Sequence, residues 1–289
     1  MIGPYYLQLL ILVGINTIMA ISLNLIIGYT GQLSIGHAAF MSLGAYGSAL
    51  VTLHFDFPFL LSLLCGALFA AFFGVIIGLP TLRLKGDYLA IATLGFGEIV
   101  RIIFLNLELT GGPVGLRAIP KKTTLLWVII AVLFSAFILY RIIRSRVGRA
   151  FIAIREDETA ADSMGINSTY YKTLCFGVGA FFAGLGGGLF AHYMRYLHPN
   201  SFGFMRSIEH LCMVVLGGLG NMWGAFVGAT ILTVTPELLR TVADLRLLIY
   251  GAVLVLMMRV RPQGLLGQSR NDDSPPAIER LYRQLRARF

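Results

Sequence analysis

Residues 59–79 read FLLSLLCGALFAAFFGVIIGL, a run of 21 residues that contains no charged side chain. A helix needs about 20 predominantly apolar residues to cross the hydrocarbon core of a bilayer. Comparable apolar runs cover residues 5–27, 35–55, 88–107 and 125–143. The strands of a membrane β-barrel would instead be short and would alternate between apolar and polar residues. The sequence therefore predicts an all-α protein, a polytopic transmembrane helical bundle.

The overall composition excludes a soluble globular enzyme. Of the 289 residues, 57% are hydrophobic and 13% are charged, whereas soluble domains carry about 25% charged residues. The net charge is +9, and 13 of the 23 lysines and arginines fall within residues 141–172 and 259–289. Both regions flank apolar runs, which is the pattern of cytoplasmic loops in membrane proteins. The positive charge therefore indicates a lipid membrane and does not indicate a nucleic acid partner.

The second half of the chain adds further membrane segments, for a total of about eight or nine. A glycine-rich run at 173–196 is followed by two short runs, 208–219 and 223–234, and by a last apolar run at 247–258. The two short runs are below the usual length of a span. They either cross the membrane or form a re-entrant hairpin, and the sequence leaves both arrangements open.

The orientation follows from the number of predicted spans. Five of them precede the basic stretch 144–172, and an even number of crossings separates this stretch from the basic C-terminal region. If both basic regions lie in the cytoplasm, the N-terminus lies outside. We therefore expect a transmembrane domain over residues 1–267, with a cytoplasmic loop at 144–172, and a charged cytoplasmic tail over residues 268–289.

Two apolar regions are interrupted by glycine and polar residues, at 28–37 and at 217–228. Irregular backbone at membrane depth is tolerated where it is buried in protein or lines a water-filled cavity, and transporters use broken helices in this way. The sequence therefore predicts a translocation pathway near these breaks. Its candidate lining residues there are Gln32, Ser34, His37 and Asn221.

Glu98 and Arg101 are charged residues within the 88–107 run, three positions apart. On a helix they share one face and can form an ion pair. Charged groups inside a membrane span usually face the protein interior or water. Two interpretations stay open: the pair holds helices together, or it lines the translocation pathway.

The stretch 155–165, REDETAADSMG, is the polar centre of the predicted cytoplasmic loop. Its alanine pair favours a helix, and Gly165 can end that helix in a left-handed cap. We expect one short helix of about two turns along the membrane surface. The alternative is an ordinary solvated connection.

This stretch resembles the EAA-type signature of ABC importer permeases, although Thr159 stands where that signature has Glu. In those permeases the loop forms a coupling helix that docks into the ATPase subunit. The resemblance implies that Ala160 and Ala161 pack against the ATPase, so that Ala161→Arg would disrupt coupling more than Ser163→Arg. The coupling residues that it suggests are Arg155, Glu156, Glu158, Ala160, Ala161 and Gly165.

Four further motifs are similar to those of the branched-chain amino acid ABC transporter permeases, most closely of the LivM type. They are GQLSIGH at 31–37, RLKGDYLAIATLGFGEI at 83–99, TGGP at 110–113 and RPQGLLG at 261–267. The resemblance covers residues from about 10 to 267. It implies a membrane-spanning permease subunit of an ATP-driven importer for leucine, isoleucine and valine, in the bacterial inner membrane.

The resemblance also implies the partners of the chain. They are a second homologous permease subunit, two cytoplasmic ATPase subunits, and a periplasmic or tethered substrate-binding protein. The sequence contains no G-x-x-x-x-G-K-[ST] motif, so ATP and Mg²⁺ would bind to the ATPase subunits and no cofactor to this chain. It also contains no HExxH or GxSxG motif and no metal-ligand spacing of cysteines, so no catalytic or metal site is expected.

Two alternatives to this function remain. A permease of the same family could carry urea or short amides. An ion-coupled secondary transporter, the less favoured alternative, would need acidic residues at the helix breaks, and residues 28–37 and 217–228 contain none.

Overall fold

The computed structural model describes residues 4–81 and 86–238, together with Leu84, Gly251 and residues 264–266. Regular secondary structure in this part of the chain is helical, which confirms the all-α prediction. A π-helical turn, Leu25–Tyr29, extends the first helix. The α-helices are α1 (Pro4–Asn24), α2 (His37–Phe55), α3 (Phe59–Thr81), α4 (Asp87–Asn106), α5 (Leu125–Arg144), α6 (Arg146–Glu156), α7 (Glu158–Ser163), α8 (Ser168–Met194), α9 (Phe204–Gly217) and α10 (Met222–Leu238).

Six helices of the described part are long and apolar enough to cross a membrane. They are α1 with its π-helical turn, α2, α3, α4, α5 and α8, and they match the six longest runs of the sequence analysis. The helices α9 and α10 are longer than the two short runs from which they were predicted, at 14 and 17 residues. The predicted run at 247–258 and the predicted tail at 268–289 lie outside the described residues, apart from Gly251.

The helices α2, α3 and α8 pack around glycines at their closest approach. An added Cβ on Gly44 of α2 would overlap the backbone of Gly184 in α8. An added Cβ on Gly187 would overlap the backbone oxygen of Met41. Small residues allow membrane helices to approach until their backbones touch, which maximises van der Waals contact where no hydrophobic driving force exists. The glycine-rich sequence of α8 is thus explained by packing.

Hydrogen bonds to α1 fix the directions of α9 and α10. Asn16 contacts Thr233 and Asn24 contacts Asn221, so α10 runs antiparallel to α1. Arg206 contacts Asn16 and Gly220 contacts Asn24, so α9 runs parallel to α1.

Several irregular segments lie together at one end of the bundle, and we call this end the basic end. The N–H groups of Leu265 and Leu266 donate to the backbone oxygens of Leu216 and Gly217, at the end of α9. Arg155, between α5 and α8, contacts Gly28 at the same end. The basic end therefore holds the 144–172 connection and residues 264–266, which the charge pattern predicts to be cytoplasmic.

We expect Gly44→Leu to destabilise the bundle, because a side chain there must separate α2 from α8. Overpacking in a dense core costs about 1–3 kcal/mol. Gly95→Leu is the matched control, since an added Cβ on Gly95 meets nothing within 4 Å. Thermal unfolding of the detergent-solubilised chain measures the difference. Equal unfolding temperatures for the two variants would contradict the close approach.

Candidate functional site

The connection between α5 and α8 contains two helices, and the prediction of one helix over 155–165 is wrong. The helix α6 ends at Glu156, and α7 begins at Glu158. Between them Asp157 is extended, with φ −156° and ψ 111°, and its carboxylate accepts a hydrogen bond of 3.0 Å from the N–H of Ala160. This N-cap stabilises a new helix start, because it satisfies a backbone donor that has no partner within the helix.

The end of α7 has the predicted left-handed glycine cap. Gly165 has φ +83°, where a side chain would be strained. The N–H of Ile166 donates to the backbone oxygen of Ala161, and that of Gly165 donates to the backbone oxygen of Asp162, each at 3.0 Å. This pair of bonds is a Schellman motif, and it turns the chain from α7 back toward α8.

An ion pair holds α7 against α8. Lys172 Nζ lies 2.5 Å from Glu158 Oε1, and the lysine side chain is only 8% exposed. Ion pairs that are partly removed from water are screened less than surface pairs. The short helix is therefore anchored at its first residue as well as at its glycine cap.

The two alanines of α7 face different ways. Ala161 is 4% exposed and is enclosed by its own chain, whereas Ala160 is exposed. This differs from the expectation that Ala161 packs against a partner. Ser163 is exposed, and Met164 is 85% exposed, so the outward surface of the loop includes Ser163 and Met164. A test of docking should therefore alter Ser163 rather than Ala161.

Arg155 links this loop to the first helix break. Its Nη1 donates a 2.5 Å hydrogen bond to the backbone oxygen of Gly28, in the π-helical turn. Its aliphatic stem is so close to Gly31 that an added Cβ there would lie 3.2 Å from the Cγ of Arg155. Such π-helical turns often occur at functional sites. The neighbouring Glu156 is exposed at the end of α6.

The residues of the first break are buried inside the bundle. Gln32 is 4% exposed, and Ser34 and His37 are fully buried. His37 Nε2 and Ser22 Oγ lie 2.8 Å apart, while the N–H of Ile35 donates to Thr93 Oγ1 at 3.0 Å. Among the described residues, none offers a hydrogen bond to Gln32 Oε1, Ser34 Oγ or His37 Nδ1. These buried polar atoms of the first break can therefore still form hydrogen bonds.

The second break meets the first at the basic end. An added Cβ on Gly28 would overlap the backbone of Gly220. Asn221 caps α10, because its Oδ1 accepts from the N–H of Trp223 at 3.0 Å, and its Nδ2 donates to the backbone oxygen of Leu266 at 2.5 Å. Beside this junction is an open cavity of about 830 Å³. It is lined by Tyr29, Tyr140, Arg144, Arg155, Asn221 and Trp223, among others.

Glu98 and Arg101 form an ion pair on α4, with an N···O distance of 2.8 Å. Arg101 Nη1 also donates to Asn200 Oδ1 at 2.7 Å, so the pair reaches the segment before α9. The two side chains are 34% and 28% exposed. Each unpaired charge at the centre of a bilayer costs about 2.5–3.5 kcal/mol on insertion scales. The pair therefore connects α4 with the segment before α9, and both of its side chains remain partly exposed.

A second ion pair, Arg206–Glu209, lies on α9 and was not predicted from the sequence. Its N···O distance is 2.8 Å and its side chains are 21% and 18% exposed. The signal was present in the sequence as the same three-residue spacing as in Glu98 and Arg101. It could not be recognised there because the predicted run began only at residue 208.

The candidate residues thus form two separate groups. Arg155 and Asn221 line the cavity at the basic end, beside α7. Glu98 and Arg101 lie in the second half of α4, and His37 lies in the buried interior between the helices.

The sequence matches a known protein family over most of its length. The family described as "Branched-chain amino acid transport system / permease component" matches residues 5–258. This chain belongs to that family. The resemblance seen in the sequence motifs is thereby confirmed, and the family is one of transport components rather than enzymes.

The relatives include the permease protein LivM of the high-affinity branched-chain amino acid transport systems of Salmonella typhimurium and Escherichia coli K12. Each is 39% identical over 266 residues, which cover 80% of this chain and 63% of the relative. LivH of Salmonella typhimurium is 31% identical over 153 residues, covering 52% of this chain and 49% of LivH. The chain thus spans less than two thirds of the length of LivM. No solved structure matches it.

Proposed function

We propose that this chain is a permease subunit of an ABC importer for branched-chain amino acids in the bacterial inner membrane. The family and the transport systems of LivM and LivH support the substrate class. The structural observation that carries the proposal is the direct bond between the cytoplasmic connection and a helix break, from Arg155 to Gly28. An ordinary solvated connection would not form a hydrogen bond to a helix break.

The chain would form half of the translocation pathway, and a second homologous permease subunit would form the other half. Two cytoplasmic ATPase subunits would supply energy and would hold ATP and Mg²⁺, so that this chain needs no cofactor of its own. A periplasmic or tethered binding protein would deliver the amino acid. Selectivity would then rest largely with the binding protein.

Coupling would begin at α7, whose outward surface would dock into the ATPase. The helix is short and is anchored by the Glu158–Lys172 ion pair and by the Gly165 cap, so it can transmit a displacement without bending. The displacement would reach α6 across Asp157. Arg155 would then move the Gly28 turn, and with it the junction of the two breaks.

Uptake of radiolabelled leucine by cells that express the chain with its partner subunits tests the substrate class. We expect ATP-dependent uptake that unlabelled isoleucine and valine compete away and that urea and acetamide do not. Competition by urea with no effect of valine would instead establish the permease for urea or short amides. Uptake driven by an ion gradient without ATP would contradict the importer class.

A substitution at Ser163 tests the docking role of α7. Because Ser163 is exposed, Ser163→Arg should leave the amount of folded chain unchanged, while its bulk and charge should prevent ATPase docking. We expect co-purification of the ATPase and leucine uptake to fall at least tenfold. Ser163→Ala is the control, since it adds no bulk. Normal co-purification with Ser163→Arg would show that the loop does not dock.

A substitution at Arg155 tests transmission separately from docking. Arg155→Gln removes the charged donor to Gly28, and hydrogen bonds of charged groups contribute about 1.5–3 kcal/mol. We expect ATPase association and ATP hydrolysis to persist, while uptake per ATP hydrolysed falls at least tenfold. Arg149→Gln, at an exposed arginine of the same helix, should change neither. An unchanged ratio in Arg155→Gln would refute the transmission role.

A further inference from the structure

Two ion pairs of the same construction lie at membrane depth on different helices. Glu98 and Arg101 on α4, like Arg206 and Glu209 on α9, are three residues apart and have N···O distances of 2.8 Å. Together they carry two positive and two negative charges. Their charges sum to zero. Replacing a buried ion pair by apolar residues of similar volume is often neutral or stabilising, so helix packing alone does not require these four charges.

Their depth is fixed by hydrogen bonds. Arg206 Nη2 donates to Asn16 Oδ1 at 3.2 Å, and Asn16 is close to the midpoint of the 25-residue span Tyr5–Tyr29. Glu98 and Arg101 lie within the span Asp87–Asn106, five to eight residues before its end. Both pairs therefore lie between the middle of the membrane and the end opposite the basic end.

The position of the first pair around α4 shows which face it occupies. Val100 and Phe104 are buried, and Ile99 and Ile102 are 59% and 49% exposed. The charges lie on the flank between these two faces at intermediate exposure. Partly exposed charges at this depth face water or protein and not lipid. The charged flank of α4 therefore lies between its buried face and its exposed isoleucines, and it faces water or protein.

Arg101 contacts the segment that leads into α9, and Arg206 lies in the first turn of that helix. Arg101 Nη1 donates to Asn200 Oδ1 at 2.7 Å, and an added Cβ on Gly203 would lie 3.7 Å from Arg101 Cδ. The N–H of Arg206 donates to the backbone oxygen of Gly203 at 3.0 Å. The two ion pairs thus lie at the same entry to α9.

We propose that these ion pairs line this chain's side of a binding site for a zwitterionic α-amino acid. This proposal rests on the proposed function and gives the location of its substrate site. Arginine binds a carboxylate in a planar, bidentate geometry. Glutamate accepts hydrogen bonds from an ammonium group. The α-carboxylate of the substrate bonds to an arginine and its α-ammonium group to a glutamate. The second permease chain closes the site from the other side.

This arrangement also explains how the site remains stable without substrate. A lone charge at this depth would be strongly unfavourable, whereas each arginine here is paired with its own glutamate. A zwitterion can replace both partners at once, because it brings one charge of each sign. A singly charged molecule would leave one protein charge unpaired.

Cysteine accessibility in the assembled transporter tests the site. Cys65, Cys175 and Cys212 are first replaced by alanine, and Asn200→Cys then places a thiol beside Arg101 without removing either ion pair. We expect the membrane-impermeant trimethylammonium thiosulfonate to label this thiol from outside. Leucine should slow the labelling at least threefold. Ile99→Cys, on the exposed apolar face of α4 that we expect lipid to cover, should not react.

Two leucine analogues decide whether a zwitterion is recognised. 4-Methylpentanoate lacks the ammonium group and 3-methylbutylamine lacks the carboxylate, and neither should slow the labelling. Absence of labelling at residue 200 would overturn the proposal, as would labelling that leucine does not slow while leucine uptake continues. If leucine is not transported but another zwitterion protects, the site stands and the proposed substrate class fails.

A reversed ion pair separates binding from a purely structural role. The double variant Glu98→Arg with Arg101→Glu keeps the ion pair and the net charge, so the amount of assembled complex should remain normal. We expect the KM for leucine uptake to rise at least tenfold, because the two charges have exchanged places. An unchanged KM would show that the pair only holds helices together and would overturn its role in binding.

Discussion

The two helix breaks of this protein are joined by the side chain of Asn24, and much of the architecture depends on that junction. Asn24 Oδ1 accepts from the N–H of Gly220, and its Nδ2 donates to the backbone oxygen of Asn221, each at 2.9 Å. Backbone groups that a break exposes inside a bilayer must find partners within the protein. One amide side chain supplies both a donor and an acceptor, and the glycines at 28 and 220 allow the breaks to touch. A longer side chain at either glycine would separate them.

The junction explains why the polar loop lies where it does. Arg155 adds a third contact to the same place through Gly28, so the loop is attached to the breaks rather than to the regular part of a helix. A regular helix resists local deformation because every turn is hydrogen-bonded to the next. A π-helical turn followed by an irregular segment does not have this continuity. A displacement of α6 and α7 therefore acts at the point where the transmembrane chain yields most easily.

The sequence predicted the long helices well, because apolar length decides them almost independently of their surroundings. The prediction failed where tertiary contacts compete with local preference. The alanine pair and the acidic residues of 155–165 favour one helix, but the Asp157 cap begins a second one, and α8 holds it in place through Lys172. The inward position of Ala161 follows from that anchoring and has no signature of its own in the sequence.

The candidate site shows the same division between local and tertiary information. The three-residue spacing of Glu98 and Arg101 predicted their ion pair, since a helix brings such residues to one face. Nothing in the sequence indicated that Asn200 meets Arg101, because these residues are 99 positions apart. Likewise Asn221 was predicted to line a pathway from its position in a break. The structure adds that its side chain caps α10 and contacts Leu266, and both roles are compatible with the edge of the cavity.

The helix α9 connects the two groups of candidate residues, the one at the basic end and the one that contains the ion pairs. Its first turns carry the Arg206–Glu209 ion pair beside Asn16, and its last residue packs against α10 just before the Asn24 junction. Because α9 runs parallel to α1 and is bonded to it at both levels, the two helices constrain each other along half of the span. A movement of the Gly28 turn that shifts the junction must therefore also change the position of Arg206 or strain its bond to Asn16. On the proposed function, this is how a displacement at the basic end reaches a substrate near the middle of the membrane: through one short rigid helix whose two ends are each tied to a polar contact.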